Sequence, residues 1–339
     1  MRPISGVILV FFASLLLASC GTTSVAPFAG TSESTPLRAY VENQNRLYRV
    51  AAPLLIKNAA LCRSYARPLL GFTAKNQYSY SKELTGQAKN QLHLDERLQV
   101  MSVLNGSGAM QAGIRHGDIL LKVQDQAIPQ GQNAETDAAR LLAGMVSNNR
   151  KLQLTVLRNG KALALEIPLT LACAFAIEQG NTSVVNAYND GRRILITRGM
   201  LDFFATDAGL SAVLAREMAH NTLQHASALQ MSATVSGVID QLLPMQPDLS
   251  GFAGTSGIKT TPEKMDEEAD KLAAYLLARA GLDPATLQVS LQTLANAYPG
   301  TVTNGYTALH PLTAERLSNL QITVAEIRRK QAAKKALVP

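Results

Sequence analysis

The hydrophobic pattern changes twice along the chain, and this change constrains the fold more than any other feature. Residues 67–170 contain short β-rich runs separated by glycine-containing turns, whereas the segments on both sides have helical spacing. One helix, at about Ala134–Met145, interrupts the strands. Asn159-Gly160 stands between two alternating apolar runs and is typical of a tight β-hairpin. We therefore expect an α+β protein in which a β-rich module is inserted into a mainly helical body with a small edge sheet.

The first residues have the three parts of an export signal. Arg2 supplies a positive charge, and the apolar run Ile8–Leu17 is too short to span a bilayer well. The run ends in Leu17-Ala18-Ser19-Cys20, which resembles the bacterial lipobox, so the resemblance implies that Cys20 carries a lipid. Gly21 is compatible with sorting to the outer membrane, which predicts a periplasm-facing lipoprotein. The alternative is an ordinary secretory signal followed by a chance cysteine.

These patterns divide the chain into five segments. They are a signal peptide (1–19), a flexible tether (20–35), an N-terminal helix that packs on the last domain (36–66), the β-rich module (67–170) and a second domain (171–339). Thr35-Pro36 is typical of a helix start. The helix that follows places apolar side chains on one stripe that continues to Cys62.

The charge pattern argues against a nucleic-acid partner. The net charge is +7, but the chain has no basic face with interleaved aromatic residues. A basic tail around Arg328–Lys335 is interpreted as a solvated helix end, with attraction to anionic lipid as the alternative. The expected partners are polypeptides and, through a lipid anchor, a membrane.

Two cysteines remain once Cys20 is assigned to the anchor. Cys62 and Cys173 bracket the β-rich module, and an even number of cysteines in an oxidising compartment favours a disulfide. The alternative is a pair of buried free thiols.

The β-rich module resembles a PDZ domain of the HtrA-like periplasmic type. The resemblance rests on Leu69–Phe72, on Val100–Val103 and on the glycine-rich stretch Gly106–Ile119. It implies that a peptide adds as a strand beside Phe72 and that its C-terminal carboxylate meets the loop Leu70-Gly71-Phe72. Gly108 departs from the pattern, because a proline commonly stands there. The alternative is a small β domain that serves as a spacer.

A second set of motifs lies between residues 174 and 325. Arg216-Glu217-Met218-Ala219-His220 has the spacing of a zincin HExxH helix, in which residues four apart share a face. Downstream are Asp266–Asp270 and His310-Pro311 with Glu315-Arg316, and Asn186-Ala187-Tyr188 lies on an upstream strand. This order resembles metallopeptidase family forty-eight, which includes the CAAX prenyl proteases.

The resemblance implies a zinc cofactor and a role for each matching position. Glu217 corresponds to the general base, His220 to the second zinc ligand and Asp266 to the third. Asp270 corresponds to the residue that supports the first ligand, His310 stabilises the oxyanion, and Asn186 and Ala187 belong to the strand that pairs with substrate. His225 is placed off the ligand face, about 140° around an ideal helix, and is interpreted as a surface or packing residue.

Two positions depart from the family pattern. Asp266 stands where glutamate is usual, and Arg216 stands where the first ligand histidine belongs. Arginine stays protonated and has no lone pair to give a metal. The family geometry places position 270 beside position 216, so the resemblance implies that Arg216 pairs with Asp270 and with Asp266, one turn earlier on the same helix face. Two functions stay open at this point. One is an envelope zinc endopeptidase in protein quality control, and the other is a pseudopeptidase that binds polypeptides without cutting them.

The lipobox generates the first prediction. We expect residues 1–19 to be absent from the mature protein and Cys20 to carry a lipid, because the lipobox resemblance implies removal of the residues before the cysteine. Mass spectrometry of the mature N-terminus measures both. An unmodified first residue other than Cys20 would contradict the prediction.

Overall fold

The computed structural model describes residues 36–228, 260–299 and 305–339. The predicted signal peptide, tether and lipidated Cys20 lie outside these ranges. The described helices are α1 (Pro36–Lys57), α2 (Thr85–Leu92), α3 (Gly108–Gln111), α4 (Ala134–Asn148), α5 (Arg198–Phe203), α6 (Asp207–Thr222), α7 (His225–Ala228), α8 (Glu263–Arg279), α9 (Ala285–Ala297), α10 (Tyr306–Leu309) and α11 (Ala314–Ala332). The strands are β1 (Ala66–Leu69), β2 (Phe72–Lys75), β3 (Gln99–Val103), β4 (Ile119–Val123), β5 (Gln126–Ala127), β6 (Lys151–Arg158), β7 (Lys161–Pro168), β8 (Thr170–Cys173), β9 (Ala176–Gly180), β10 (Ala187–Asn189) and β11 (Arg193–Thr197). The fold is α+β, as the sequence predicts.

Helix α6 lies at the centre of the helical body. Every residue from Gly209 to Asn221 is buried, so this helix must pack against neighbours on all sides. Its neighbours include α1, α8, α9 and strand β10. Because α6 carries the zincin-like motif, its complete burial places charged residues of that motif inside the protein.

A three-stranded sheet covers one side of α6. Its order is β10-β11-β9, with β10 antiparallel and β9 parallel to the middle strand. The predicted strand Arg193–Thr197 is observed as β11. The other predicted strand is shifted by one residue, and Asn186 lies immediately before β10. Among the described strands, β10 forms one edge of this sheet.

The β-rich module forms a separate sheet with its own apolar cluster. Its order is β2-β3-β4-β6-β7, with β5 paired to β4, so β2 is an edge strand among the strands that the structure describes. The cluster includes Val100, Leu120 and Leu154, and helix α4 packs on it through Ala138. Asn159 and Gly160 have φ of 50° and 75°, as a type I′ turn between β6 and β7 requires. The predicted hairpin is therefore present.

Gly108, the departure from the PDZ pattern, has a structural reason. A Cβ at this position would lie 1.6 Å from the carbonyl oxygen of Pro168. The Gly108 N–H also donates to Thr170 Oγ1 at 2.7 Å. A proline would introduce the clash and remove the donor, so glycine is required at this contact.

Strands β1 and β8 form a two-stranded neck between the module and the helical body. Ala66 pairs with Cys173, and Cys173 forms a disulfide with Cys62 across a Cα–Cα distance of 5.8 Å. Both cysteines are buried in the apolar cluster of the helical body. Helix α1 ends at Lys57, so Cys62 is reached after the helix and not on its last turn, contrary to the predicted stripe.

One predicted helix is shorter than expected. The sequence predicts a helix from Asp207 to about Leu229, but α6 ends at Thr222. Gln224 then takes φ of 59°, and α7 begins at His225. This turn changes the position of His225 relative to the ligand face. In the described ranges, no helix combines the length and the apolar character needed to cross a bilayer.

The disulfide generates the second prediction. Its partners are 111 residues apart in sequence, and closing such a loop stabilises the fold by about 4–5 kcal/mol on the chain-entropy model. We expect the Cys62→Ala/Cys173→Ala protein to unfold at a lower urea concentration than the parent. Reductant should lower the midpoint of the parent and leave that of the double variant unchanged. Equal midpoints for the two oxidised proteins would contradict this stabilisation.

Candidate functional site

Arg216 is fully buried where helices α6 and α8 meet. Its Nε donates to Asp270 Oδ1 at 2.8 Å, and its Nη2 donates to Asp266 Oδ1. Its Nη1 donates to the hydroxyl of Tyr306 at 2.8 Å. All three guanidinium nitrogens therefore have acceptors, and the two carboxylates are the ones that the sequence predicts.

A second arginine completes the charge balance. Arg316, at the start of α11, donates from Nε and Nη2 to Asp270 Oδ2 at 2.9 and 2.8 Å. Its Nη1 lies 3.2 Å from Asp266 Oδ2, within ion-pair distance but without hydrogen-bond geometry. Two arginines thus face two aspartates in a space that is closed to solvent.

Glu217, for which the family resemblance predicts the role of general base, is held by two neutral donors. Asn189 Nδ2 donates to Glu217 Oε2 at 2.7 Å, and Tyr306 donates its hydroxyl to Oε1 at 2.9 Å. Because Tyr306 also accepts from Arg216, a continuous chain of hydrogen bonds runs from the guanidinium to Glu217. Both carboxylate oxygens are occupied by protein donors.

His220 contacts His225, although the sequence analysis places His225 off the face of the helix that carries His220. The two Nδ1 atoms are 2.9 Å apart, and His225 Nε2 lies 3.4 Å from Glu268 Oε2. The continuous helix assumed for His225 is wrong, because the chain turns at Gln224 and folds His225 back onto His220. His225 is nevertheless a buried packing residue and not one of the converging ligands, as the sequence predicts. His220 Nε2 is buried without a hydrogen-bond partner in the described part of the chain.

Three possible metal ligands converge beside Arg216. One ligand atom from each of His220, Asp266 and His310 lies within 4.8 Å of the others. His310 Nδ1 is 2.8 Å from Asp266 Oδ1, and Arg216 Nη2 is 3.3 Å from the same His310 nitrogen. The guanidinium therefore lies on the face where these ligands meet, and it donates to the Asp266 oxygen that a metal would use.

The residues present do not fit the zinc site that the family resemblance implies. A positive guanidinium beside Asp266 and His310 opposes a divalent cation by its charge and by its hydrogen bond to the Asp266 carboxylate. As bounded by described residues, the cavity beside β10, His220 and His310 has about 20 Å³, room for about one water molecule. Zinc, its water and a peptide bond together need more space than this.

The electrostatics favour fixed charges at this site. Burial alone would raise the pKa of Asp266, but the charge of Arg216, the contact with His310 and the charge of Arg316 outweigh it and lower this pKa to about 2. Burial followed by the Arg216 charge lowers the pKa of His220 well below its usual value. Burial opposes the charge on Arg216, yet Asp266, Tyr306 and Asp270 raise its pKa further. Near neutral pH, Arg216 and Asp266 are ionised and His220 is neutral.

The predicted substrate strand borders this cavity. Ala187 lies on edge strand β10, and both Ala187 and Asn189 line the cavity. Asn186 is buried, and its side chain bonds the Tyr188 hydroxyl and accepts from the Ala187 N–H. Asn186 therefore fixes the start of β10 from within the protein.

The predicted carboxylate loop precedes edge strand β2. Gly71 has φ of 89°, and a Cβ there would lie 2.3 Å from Ser107 Cβ, so only glycine fits. The Gly71 carbonyl accepts from Leu104 N–H and from the Ser107 hydroxyl. Leu70 and Phe72 pack on the apolar cluster of the module. The loop is thus fixed on both sides of the turn.

The sequence predicts no role for several residues that contact Asp270 or Glu217. Arg316 appears in a motif that the sequence singles out, but its double contact with Asp270 requires the position of α11. Tyr306 and Asn189 follow no spacing rule, since each comes from a separate segment and meets Glu217 only in the fold.

Sequence profiles match two parts of the chain. The profile of peptidase family M48 matches residues 148–324, just over half of the chain, and a PDZ domain profile matches residues 68–169. They overlap at 148–169, where β6 and β7 pair within the sheet of the module. No curated protein shows significant sequence similarity to the chain.

The similar solved structures match about a third of this chain. One is the HtrA3 PDZ domain bound to a phage-derived ligand, with 19% identity, a TM-score of 0.23, and coverage of 31% of this chain and 88% of that domain. Another is the HtrA-type protease AlgW with a decapeptide, with 25% identity, a TM-score of 0.23, and coverage of 31% and 30%. A serine endoprotease from Yersinia pestis matches with 22% identity, a TM-score of 0.21, and coverage of 32% and 30%. The chain thus spans about a third of the length of these two proteases.

The buried arginine generates the third prediction. Arg216→Leu leaves Asp266 without its main partner in a buried site, so we expect the free energy of unfolding to fall by about 3–5 kcal/mol. Urea denaturation at neutral pH measures the change. Arg140→Leu, which removes an exposed ion pair with Asp137, is the matched control and should show little change. Equal effects of the two substitutions would contradict a structural role for Arg216.

Proposed function

The chain belongs to peptidase family M48, and we propose that it binds polypeptides at the bacterial cell envelope without hydrolysing them. The chain is a peptidase-like protein with a peptide-binding module. Family members generally depend on zinc. The proposal therefore concerns what this chain does at the position where its relatives hold a metal.

One observation carries the proposal. Arg216 stands at the first-ligand position with its guanidinium bonded to Asp266, Asp270 and Tyr306. The arginine neutralises the carboxylates that would otherwise require a cation. It also reaches Glu217 through Tyr306, so the position of the general base is part of a structural network.

Polypeptide binding is assigned to the PDZ-like module. Edge strand β2 can accept an extended chain, and the loop before it holds Gly71 in a conformation that turns the backbone without a Cβ clash. A free C-terminal carboxylate is the group that such a loop selects. We therefore assign the loop Leu70-Gly71-Phe72 to the C-termini of other proteins.

The cell-envelope location rests on the sequence. The lipobox-like segment at Cys20 supports a lipid anchor, and Gly21 supports the outer membrane. A disulfide between Cys62 and Cys173 accords with an oxidising compartment. A protein anchored there that binds C-termini or unfolded chains would act in periplasmic protein quality control.

A second candidate function is zinc-dependent endoproteolysis of polypeptides. The ligand atoms of His220, Asp266 and His310 lie within 4.8 Å of one another, which favours this candidate. Arg216 would have to move away from Asp266 and His310 for an ion to reach them. Glu217 would then be the candidate general base.

Restoring the family motif tests the proposal. We expect the purified protein to contain no stoichiometric zinc, and Arg216→His to raise its zinc content because a lone pair replaces a positive charge. Elemental analysis after dialysis measures the metal, and casein cleavage measures activity. Arg216→His with Glu217→Gln is the control that keeps the ligands and removes the base. Stoichiometric zinc in the unsubstituted protein, with cleavage lost on Glu217→Gln, would establish the second candidate.

The carboxylate loop has its own test. A library of fluorescein-labelled peptides with free C-termini should bind the full chain more tightly than the same peptides with amidated C-termini, because amidation removes the charge that the loop selects. Fluorescence polarisation measures both affinities. Equal affinities across the library would contradict a carboxylate site at Gly71.

A further inference from the structure

Edge strand β2 leads to a cavity that the carboxylate loop does not explain. A peptide whose C-terminus lies at the loop before β2 must run antiparallel to β2, so its upstream residues pass toward Lys75. The strand has four residues and is about 13 Å long at the usual rise per residue. Residues four or five positions before the C-terminal residue therefore arrive at Lys75.

Lys75 lines a cavity of about 200 Å³ between the module and the helical body. Three tyrosines line it, Tyr40 and Tyr48 from α1 and Tyr80 from the segment after β2. Strand β9 contributes Glu178 and Gln179 to the same wall. The volume suits one long side chain and is smaller than a site for a drug-sized ligand.

The lining favours a positively charged group. Aromatic rings attract cations, and Glu178 adds a carboxylate. Gln179 also lines the cavity, but its side chain is buried and only 3% exposed. Lys75 brings the opposing charge, but it is paired with Glu135 at the start of α4.

The tyrosines stay neutral in this cavity. Burial, followed by the charge of Glu178, raises the pKa of Tyr48 to about 12. Burial is also the largest cause of the raised pKa of Tyr40 and Tyr80. Their rings therefore carry no phenolate charge near neutral pH, and the charged residues that line the cavity are Glu178 and Lys75.

We propose that this cavity receives a lysine or arginine side chain of the bound polypeptide, four or five positions before its C-terminal residue. The proposal rests on the proposed binding of C-termini at the loop Leu70-Gly71-Phe72. It adds a second specificity element, formed jointly by α1, β9 and the module. The module selects the free end of a chain, and the tyrosine cavity selects a basic residue upstream of that end.

A position scan on the full chain tests the proposal. The probes are fluorescein-labelled glycine-serine decapeptides that end in the three apolar residues preferred in the library, with a free carboxylate. One lysine is moved through the upstream positions, with alanine, norleucine and glutamate as replacements. We expect lysine four or five positions before the last residue to strengthen binding by about 3- to 10-fold over alanine. Norleucine should give no gain, and glutamate should weaken binding.

Two variants connect this gain to the cavity. Tyr80→Leu and Glu178→Gln should each reduce the lysine gain and leave the affinity for the alanine peptide unchanged, which also shows that the module is folded. Tyr78→Leu is the matched control, because Tyr78 lies in the same segment but bonds Glu96 outside the cavity. The control should keep the gain.

The outcomes separate this inference from the proposed function. Carboxylate-dependent binding with equal affinity for lysine and alanine at every position would overturn the basic-residue cavity alone. A preference for glutamate would also overturn the basic-residue cavity, and would indicate that the cavity binds an acidic side chain through Lys75. Loss of all carboxylate-dependent binding would overturn the proposed function, and the inference with it.

Discussion

The contact between Arg216 and Asp270 joins the two central helices of the body, and the remaining charged residues are arranged around it. Each partner is buried, so each needs the other to offset the cost of leaving water. Arg316 approaches Asp270 from the opposite side and ties α11 to the same carboxylate. Each of these buried charges is paired with a charge on another helix. Removing one charged side chain therefore leaves an unpaired buried charge on a neighbouring helix. Members of family M48 generally depend on zinc, and we propose that in this chain a side chain takes the place of the metal.

The sequence predicts part of this arrangement and misses the rest for identifiable reasons. Arg216 and Asp270 are predictable, because each lies on a helix whose spacing fixes its face and the family pattern pairs the two positions. Tyr306 is not predictable, since a short helix in a separate segment brings it to Glu217. His225 is misplaced because Gln224 turns the chain with φ of 59° although neither glycine nor proline marks the turn. The strands and hairpin of the module are predicted better, because alternation and Asn159-Gly160 are local signals.

Helix α1 belongs to both parts of the molecule. Leu47 and Leu54 pack in the apolar cluster of the helical body. Leu37 and Val41, near its start, pack with Leu94 and other residues of the module in a third cluster. The helix therefore holds the module at one orientation to β9, and the tyrosine cavity lies where the two meet. A site made by three elements in this way depends on α1 remaining ordered from end to end.

The disulfide at the neck determines what happens to the protein when a protease cleaves the module. Cys62 and Cys173 enclose the whole module, so every peptide bond between them lies inside a covalent ring. A protease that nicks any loop of the module opens the ring without releasing a fragment. The two pieces stay attached at the neck, where strand β1 of one piece still pairs with strand β8 of the other. A nicked molecule would migrate as one species without reductant and as two with it. In a compartment that contains proteases, this closure lets the module tolerate damage that would dismantle an open chain.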